Sequence, residues 1–170
     1  MNLSEKVRVI HDFPQKGIAF RDITTVLGDP MALRQSIDEI METLNGFDFD
    51  VVLGPESRGF IFGVPVAYNL NKAFVPARKK GKLPHKTICC AYDLEYGKAE
   101  IEIHADAIKP GQKVVVVDDL LATGGTCKAI SSLVEQLGGK IVAFSFFIEL
   151  NGLGGREMLP GYEVRSVLQY

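Results

Sequence analysis

The sequence predicts an α/β fold with a largely parallel central sheet, because buried-strand patterns and helical patterns alternate along the chain. The clearest strand is 113–117, where four consecutive valines follow Lys113 and indicate burial on both faces of a sheet. A helix is predicted directly after it, ending at 138–139, since apolar residues recur at helical spacing at Ile130, Leu133, Val134 and Leu137. Ligands of such sheets bind at the carboxyl ends of strands, so the loop after this strand is a candidate site.

The remaining elements are predicted from the same patterns of apolar residues, those of buried strands and of helices, and from turn residues. Helices are expected at 4–11, 31–44 and 60–70; Pro65 must lie in the first turn of the last of these or kink it. Strands are expected at 51–53, 73–78, 99–104 and 141–150. From Gly81 to Gly97 the chain is polar and is predicted to form a long loop, which is often a mobile lid. No repeat or linker-like stretch divides the sequence, which predicts one domain over residues 1–170.

Composition and charge exclude several classes of function. The 170 residues are 46% hydrophobic and 24% charged, and 19 basic against 21 acidic residues give a net charge of −2. That balance predicts neither a nucleic-acid partner nor a membrane partner. The three cysteines, Cys89, Cys90 and Cys127, show neither metal-ligand spacing nor a disulfide framework, which favours a reducing compartment. Together with a charged N-terminal stretch that lacks a signal-peptide core, this predicts a soluble, cytoplasmic protein.

The segment 114–126 contains the residues that most clearly indicate a ligand-binding site. Its strand delivers two consecutive carboxylates, Asp118 and Asp119, to the edge of the sheet. In the loop that follows, Gly124 and Gly125 let the backbone fold closely around a ligand, and the next helix presents unpaired N–H groups that suit a phosphate. The carboxylates would repel phosphate and should instead accept hydrogen bonds from hydroxyl groups, so the segment predicts a ribose 5-phosphate site. The alternative is an ordinary strand–turn–helix connection; the P-loop and dinucleotide-binding fingerprints are both absent from the sequence.

The run VVVVDDLLATGGT, residues 114–126, resembles the motif with which type I phosphoribosyltransferases bind 5-phosphoribosyl-1-pyrophosphate (PRPP). The resemblance implies that family's fold, a parallel sheet flanked by helices, with a small hood region and a flexible lid loop. It also implies that Asp118 and Asp119 hold the ribose hydroxyls. The 5-phosphate is then bound by the loop of Ala122, Thr123, Gly124, Gly125 and Thr126.

Further segments resemble the adenine-specific members of that family: 12–14 with 17–24, 56–60, 78–84 and 92–97. The matches run in order along the chain, and 156–170 matches least. The resemblance implies an enzyme of purine salvage that converts adenine and PRPP to AMP and pyrophosphate. Two alternatives stay open. One is a sister enzyme that uses hypoxanthine, guanine, xanthine or orotate, and the other is a PRPP-binding regulator without activity.

Basic residues elsewhere are candidates for the phosphates of PRPP. Arg58 follows the strand at 51–53, where an arginine suits the leaving pyrophosphate because it can bind phosphate oxygens bidentately. Otherwise Arg58 is a surface arginine on a turn. The basic cluster of Arg78, Lys79, Lys80 and Lys82 would ordinarily be a solvated face. The resemblance favours Arg78 and Lys82 as PRPP ligands and leaves the two lysines between them undecided.

The resemblance also assigns the base side of the site. It implies that closure of the lid brings Glu95 over the base as a general acid–base group, although from the residues alone Glu95 is equally an exposed acid. Phe20 and Leu120 look like the two sides of a slot for a flat purine. Ala19 and Arg21 flank Phe20 in the same N-terminal signature.

Cofactor, oligomer and the remaining reactive residues complete the predictions. Mg²⁺ is the expected cofactor, held mainly by PRPP and water, so no protein ligand is predicted for the metal. Relatives are commonly homodimers, and the resemblance implies a homodimer here. Cys127 is expected to be a small buried residue at a helix start, and the three histidines, His11, His85 and His104, are expected to be structural or surface residues.

Overall fold

The computed structural model describes residues 1–94 and 97–170. The helices in these residues are α1 (Leu3–Lys6), α2 (Thr24–Leu27), α3 (Pro30–Thr43), α4 (Arg58–Asn69) and α5 (Gly125–Gln136). The strands are β1 (Arg8–His11), β2 (Ala19–Asp22), β3 (Val51–Pro55), β4 (Ala73–Lys79), β5 (Thr87–Leu94), β6 (Gly97–His104), β7 (Lys113–Leu121), β8 (Lys140–Glu149) and β9 (Val164–Gln169). Within the described residues, none of the helices has the length and apolar character needed to cross a membrane.

Seven strands form one sheet in the order β5-β6-β4-β3-β7-β8-β9, and β1 and β2 form a separate antiparallel pair. The strands β4, β3, β7, β8 and β9 run parallel. By contrast, β5 and β6 form an antiparallel hairpin whose second strand pairs with β4. The predicted α/β fold, with a largely parallel sheet and flanking helices, is confirmed. The separate pair of β1 and β2 is called the hood below.

The central strand β7 is buried on both faces, as its four valines predict. The first and third, Val114 and Val116, pack with α5 on one face, and the other two pack with α3 and α4 on the opposite face. All four are wholly buried, because successive side chains of a strand point to opposite faces. Burial on both faces fixes β7 in the middle of the sheet, so its carboxyl end holds 118–119 at a defined place.

Most of the predicted elements are confirmed. The strands predicted at 51–53, 73–78, 99–104 and 141–150 are β3, β4, β6 and β8, with ends that differ by at most two residues. Helix α3 begins as predicted, since the Asp29 side chain accepts hydrogen bonds from the backbone N–H groups of Met31 and Ala32 at 2.9 and 3.2 Å. Pro65 lies well inside α4 and outside its first turn.

The long loop predicted from Gly81 to Gly97 is wrong for residues 87–94, which form strand β5. Ile88, Cys90 and Tyr92 pack against the core, while Cys89, between two of them, is exposed. This is the alternation of a strand with one buried face, carried by residues whose composition is too polar to suggest it. The segment proposed as a lid is therefore mostly a β-hairpin, and its flexibility stays a prediction.

Two further differences concern the ends of the chain. The helix predicted at 4–11 is wrong beyond Lys6, because Arg8–His11 form β1 and pair with β2 across an intervening turn. Val9 and Ile10 are β-branched and favour a strand when a partner strand is present. Strand β9 was not predicted, since its side chains show no clean alternation between buried and exposed positions.

Candidate active site

The carboxyl end of β7 and the start of α5 form the predicted strand–loop–helix. Helix α5 begins at Gly125, and Gly124 before it has a φ of +83°, a conformation that glycine adopts at no steric cost. A side chain at Gly124 would also meet the carbonyl oxygen of Gly155 at 2.8 Å. Both requirements explain why a glycine stands there. The loop is held close to the segment around Gly155, which the sequence analysis did not single out.

A cavity of about 390 Å³ opens at this edge of the sheet, and its size suits a small-molecule ligand. Five of the predicted site residues line it, namely Arg58, Asp118, Asp119, Leu120 and Thr126. The other residues that line it are Pro55, Glu56, Ser57, Lys79, Tyr92 and Ile101. Residues from the carboxyl ends of the parallel strands β3, β4 and β7 therefore meet at one place, as the rule for parallel sheets predicts. The antiparallel strands β5 and β6 add Tyr92 and Ile101.

The two carboxylates occupy different electrostatic environments. Asp119 Oδ2 lies 2.6 Å from Arg58 Nε, and Asp118 Oδ1 accepts a hydrogen bond of 2.8 Å from the Asp119 backbone N–H. Burial raises the pKa of the Asp118 carboxyl well above its usual range, and the charge of Asp119 raises it further. The pair therefore consists of one acid held by an arginine and one acid whose neutral form is favoured. Hydroxyl groups of a sugar would satisfy both.

The loop between β3 and α4 forms the opposite wall. Arg58 is the first residue of α4, and the loop before it is tied to β4, since Glu56 Oε1 accepts a hydrogen bond of 2.5 Å from the Lys79 backbone N–H. Gly59 lies so close to β7 that a side chain there would meet Asp118 Oδ1 at 2.9 Å and Pro55 Cδ at 2.8 Å. The glycine after Arg58 thus lets this loop approach the carboxylate pair.

The basic cluster lies at the end of β4 and just beyond it. Lys79 lines the cavity, whereas Arg78 and Lys82 are not among the lining residues. The Arg78 Nε lies 3.5 Å from Glu56 Oε1, which belongs to a lining residue, and Arg78 Nη1 donates a hydrogen bond of 3.3 Å to the Lys82 carbonyl oxygen. The roles of Arg78 and Lys82 as PRPP ligands stay predictions.

The hood carries Ala19, Phe20 and Arg21 on β2. The ring of Phe20 lies beside the cavity, with its centre 5.9 Å from the guanidinium carbon of Arg58. The Arg21 guanidinium carbon lies 3.9 Å from the centre of the Tyr170 ring, and Arg21 is not a lining residue. Phe20 is therefore near the site, and the slot between it and Leu120 stays a prediction.

Strand β5 adds an aromatic side chain to the site. Tyr92 lines the cavity, and its Cδ2 atom lies 3.5 Å from the place where a side chain on Gly125 would begin. Strand β5 therefore lies directly beside the start of α5. Tyr92 belongs to the same sequence pattern as Glu95 and could have been selected with it. Glu95 lies outside the described residues, so its role stays a prediction.

The remaining reactive groups are not placed for chemistry. Cys127 is buried as predicted, and burial, together with the neighbouring Asp118, raises the pKa of its thiol. A neutral buried thiol is a poor nucleophile. In the part of the chain that the structure describes, no group of three or more His, Cys, Asp or Glu side chains is arranged to hold a metal ion.

Comparison with known proteins agrees with this geometry. The sequence model of the phosphoribosyl transferase domain matches residues 27–158, which include both loops of the cavity. The chain therefore belongs to the phosphoribosyltransferase family.

The relatives that match this chain are adenine phosphoribosyltransferases. The chain is 64% identical over 168 residues to the adenine phosphoribosyltransferase of Lachnoclostridium phytofermentans, covering 99% of this chain and 97% of that protein. The crystal structure of adenine phosphoribosyltransferase from Thermoanaerobacter pseudethanolicus is 50% identical, with a TM-score of 0.96 over 99% of this chain and 98% of that one. The Saccharomyces cerevisiae enzyme, solved with adenine and an imino-altritol bisphosphate, is 37% identical, with a TM-score of 0.91 over 97% and 96%.

Proposed function

We propose that the protein transfers the phosphoribosyl group of PRPP to adenine and releases AMP and pyrophosphate. The observation that carries this proposal is the cavity in which the carboxylate pair, Arg58 and the start of α5 meet. These groups match the parts of PRPP, since carboxylates suit its diol, an arginine its pyrophosphate and a helix start its 5-phosphate. The close relatives that are adenine phosphoribosyltransferases support adenine as the base.

PRPP would rearrange the ion pair of Arg58 and Asp119. Arg58 Nε lies 2.6 Å from Asp119 Oδ2. The pyrophosphate of PRPP offers the guanidinium a second and more highly charged anion, so Arg58 is proposed to move to it. Asp119 then accepts hydrogen bonds from the ribose, beside Asp118. The negative charge that the departing guanidinium leaves beside the sugar stabilises the positive charge that develops on the ribose ring in the transition state.

The reaction breaks the bond between the anomeric carbon and the pyrophosphate oxygen and forms a bond from that carbon to a base nitrogen. The attacking nitrogen loses its proton, which Glu95 is proposed to accept as a general base. Phe20 and Leu120 would hold the flat base between them. Exclusion of water by the hairpin of β5 and β6 would prevent hydrolysis of PRPP.

Mg²⁺ is proposed as the cofactor, and the chemistry it supplies when bound is neutralisation of charge on the leaving pyrophosphate. The residues present fit an ion held mostly by its substrate. The carboxylates of Asp118 and Asp119 line the cavity and can accept hydrogen bonds from metal-bound water. No larger cluster of ligands accompanies them in the residues that the structure describes.

A panel of bases tests the proposal. Purified protein is incubated with PRPP, Mg²⁺ and, in turn, adenine, hypoxanthine, guanine, xanthine or orotate, and nucleotide and pyrophosphate are measured. AMP formed from adenine, with little product from the other bases, is the expected result. Turnover of another base in preference to adenine would identify a sister enzyme, and no turnover with any base would point to a PRPP-binding regulator.

The assembly is proposed to be a homodimer that uses the outer face of α4. On that face Ile61, Val64 and Tyr68 are 38%, 47% and 83% exposed, at spacings that place them on one side of the helix. A row of exposed apolar side chains is typical of a protein–protein interface. The same helix begins at Arg58, so the proposed interface lies on an element that also reaches the cavity. Light scattering is expected to give twice the mass of the chain and to give the monomer for Val64→Glu with Tyr68→Glu. A monomeric wild-type protein would contradict it.

The cysteines support a proposal for the compartment, and the packing of the core supports a proposal for the domain organisation. We propose that the protein works in the cytoplasm, which is supported by its three cysteines, all unpaired in the structure. The single domain over residues 1–170 is supported by two core clusters that pack on opposite faces of the same sheet.

A further inference from the structure

We infer that Tyr170 is a positioning residue: it fastens the hood to the sheet and so sets the slot between Phe20 and Leu120. The inference rests on the proposed function, because that slot is the proposed adenine site. Tyr170 lies in the C-terminal stretch 156–170, and none of the sequence motifs described above includes it.

The backbone of Tyr170 is fixed at the same edge of the sheet as the site. Leu120 of β7 and Leu168 of β9 pair with the same residue of β8, so the three strands end level with one another. The Tyr170 N–H donates a hydrogen bond of 3.0 Å to the Glu149 carbonyl oxygen, and its own carbonyl oxygen accepts one of 2.7 Å from the Asn151 N–H. Tyr170 is thus bound rigidly to the strand beside β7.

The side chain of Tyr170 reaches from this fixed point to the N-terminal region. The guanidinium carbon of Arg21 lies 3.9 Å from the centre of the Tyr170 ring, which is the geometry of a cation–π contact. The Tyr170 hydroxyl donates a hydrogen bond of 3.1 Å to the carbonyl oxygen of Ser4. Because Arg21 follows Phe20 directly on β2, holding Arg21 also holds the strand that carries Phe20.

The hood is anchored at its base by the buried side chains of Val7 and Ile23, which adjoin β1 and β2, and Tyr170 holds it nearer to Phe20, at Arg21. In the described residues, β1 and β2 pair only with each other, and the ion pair of Arg8 with Asp22, at 3.6 Å, lies within the hood. The centre of the Phe20 ring lies 5.9 Å from the guanidinium carbon of Arg58. Arg58 is the side chain that is proposed to move when PRPP binds, so it cannot provide a fixed support. Tyr170 provides one that PRPP does not disturb.

Three variants test this role by steady-state kinetics. Tyr170→Leu removes the ring and the hydroxyl, Tyr170→Phe keeps the ring, and Gln169→Ala alters the same strand without touching the hood. Tyr170→Leu is expected to raise the KM for adenine about fivefold, as the loss of one cation–π contact predicts. The KM for PRPP and the melting temperature stay close to those of the wild-type protein, and Tyr170→Phe and Gln169→Ala behave like it. An unchanged KM for adenine, or an equal rise in both KM values, would overturn the inference.

A second measurement is independent of turnover. Amide hydrogen exchange in residues 19–22 of the ligand-free protein is expected to be faster in Tyr170→Leu than in wild type, Tyr170→Phe or Gln169→Ala. Equal exchange in all four proteins would overturn the positioning role. If the wild-type protein makes no AMP from adenine, the proposed function fails, and the exchange data still show whether Tyr170 fastens the hood.

Discussion

The two sides of the cavity are built in different ways. On the side proposed to bind ribose and phosphate, one uninterrupted stretch, 113–126, supplies a buried strand, the carboxylate pair and the helix start. On the side proposed to bind the base, Phe20 comes from a separate pair of strands, and Leu120 comes from the sheet. One side is therefore fixed by the most buried part of the core, whereas the other depends on contacts between elements that are far apart in sequence.

This difference indicates how the two substrates are recognised. The side proposed to bind ribose and phosphate is held by packing within the protein, because β7 is buried and the loop lies against Gly155. The side proposed to bind the base depends on the position of the hood relative to the sheet. We expect changes on the first side to affect PRPP, and changes on the second side to affect adenine.

The largest effect is expected from removing both carboxylates. Asp118→Asn with Asp119→Asn keeps the size of both side chains but removes the charge that stabilises a positive ribose ring. We expect kcat/KM to fall about 1000-fold, the order of loss seen when electrostatic stabilisation of a transition state is removed. The melting temperature should not fall, and Asp38→Asn, an exposed acid on α3, is the control. An active double variant would sink the assignment of the pair.

A smaller effect, confined to PRPP, is expected from Gly155→Ala. The added carbon would lie 2.5 Å from the Ala122 carbonyl oxygen and 2.8 Å from Leu121 Cγ, so the phosphate loop must shift. Misplacement of a binding loop by a fraction of an ångström should raise the KM for PRPP about tenfold, while the KM for adenine changes little. Leu153→Ala, at an exposed position nearby, is the control. Equal changes in both KM values would show that the two sides are not separate.

The smallest effect is on stability, and it has the opposite sign. Burial and Asp119 raise the pKa of Asp118, so folding with a charged Asp118 costs free energy. This cost is absent at a pH below the pKa that Asp118 has in the unfolded chain. The cost grows as the pH rises through the pKa of Asp118 in the folded protein. Asp118→Asn removes that cost while keeping an oxygen that can accept the hydrogen bond from Asp119. At pH 8 we expect the variant to be more stable in urea by on the order of 1 kcal/mol, with no gain near pH 4. A variant less stable at pH 8 would contradict this.

The two sides of the cavity also differ in how well the sequence predicted them. The strand, the loop and the helix of 113–126 were predicted as the structure has them, because their chemistry and their periodicity lie in one continuous stretch. Arg58 was predicted for a similar reason, since a glycine-flanked loop after a buried strand is visible in the sequence. Wherever the site is local in sequence, pattern and physical chemistry suffice.

The rest was not predicted, mainly because it depends on tertiary contacts. Lys79, which lines the cavity, was left undecided, because its position depends on how β4 packs against its neighbours; the role of Arg78 stays a prediction. Tyr92 was missed because its strand, β5, is composed of residues that read as a polar loop. Gly155 and Tyr170 act through partners far away along the chain, and no local pattern marks them.

The most direct test of this account is calorimetric titration of the ligand-free protein with each substrate. PRPP with Mg²⁺ is expected to bind to the free protein, because its side of the cavity is already formed. Adenine is expected to bind weakly alone and clearly tighter once ribose 5-phosphate occupies the site and the base slot is completed. Tight binding of adenine to the free protein, or no binding of PRPP, would contradict the account.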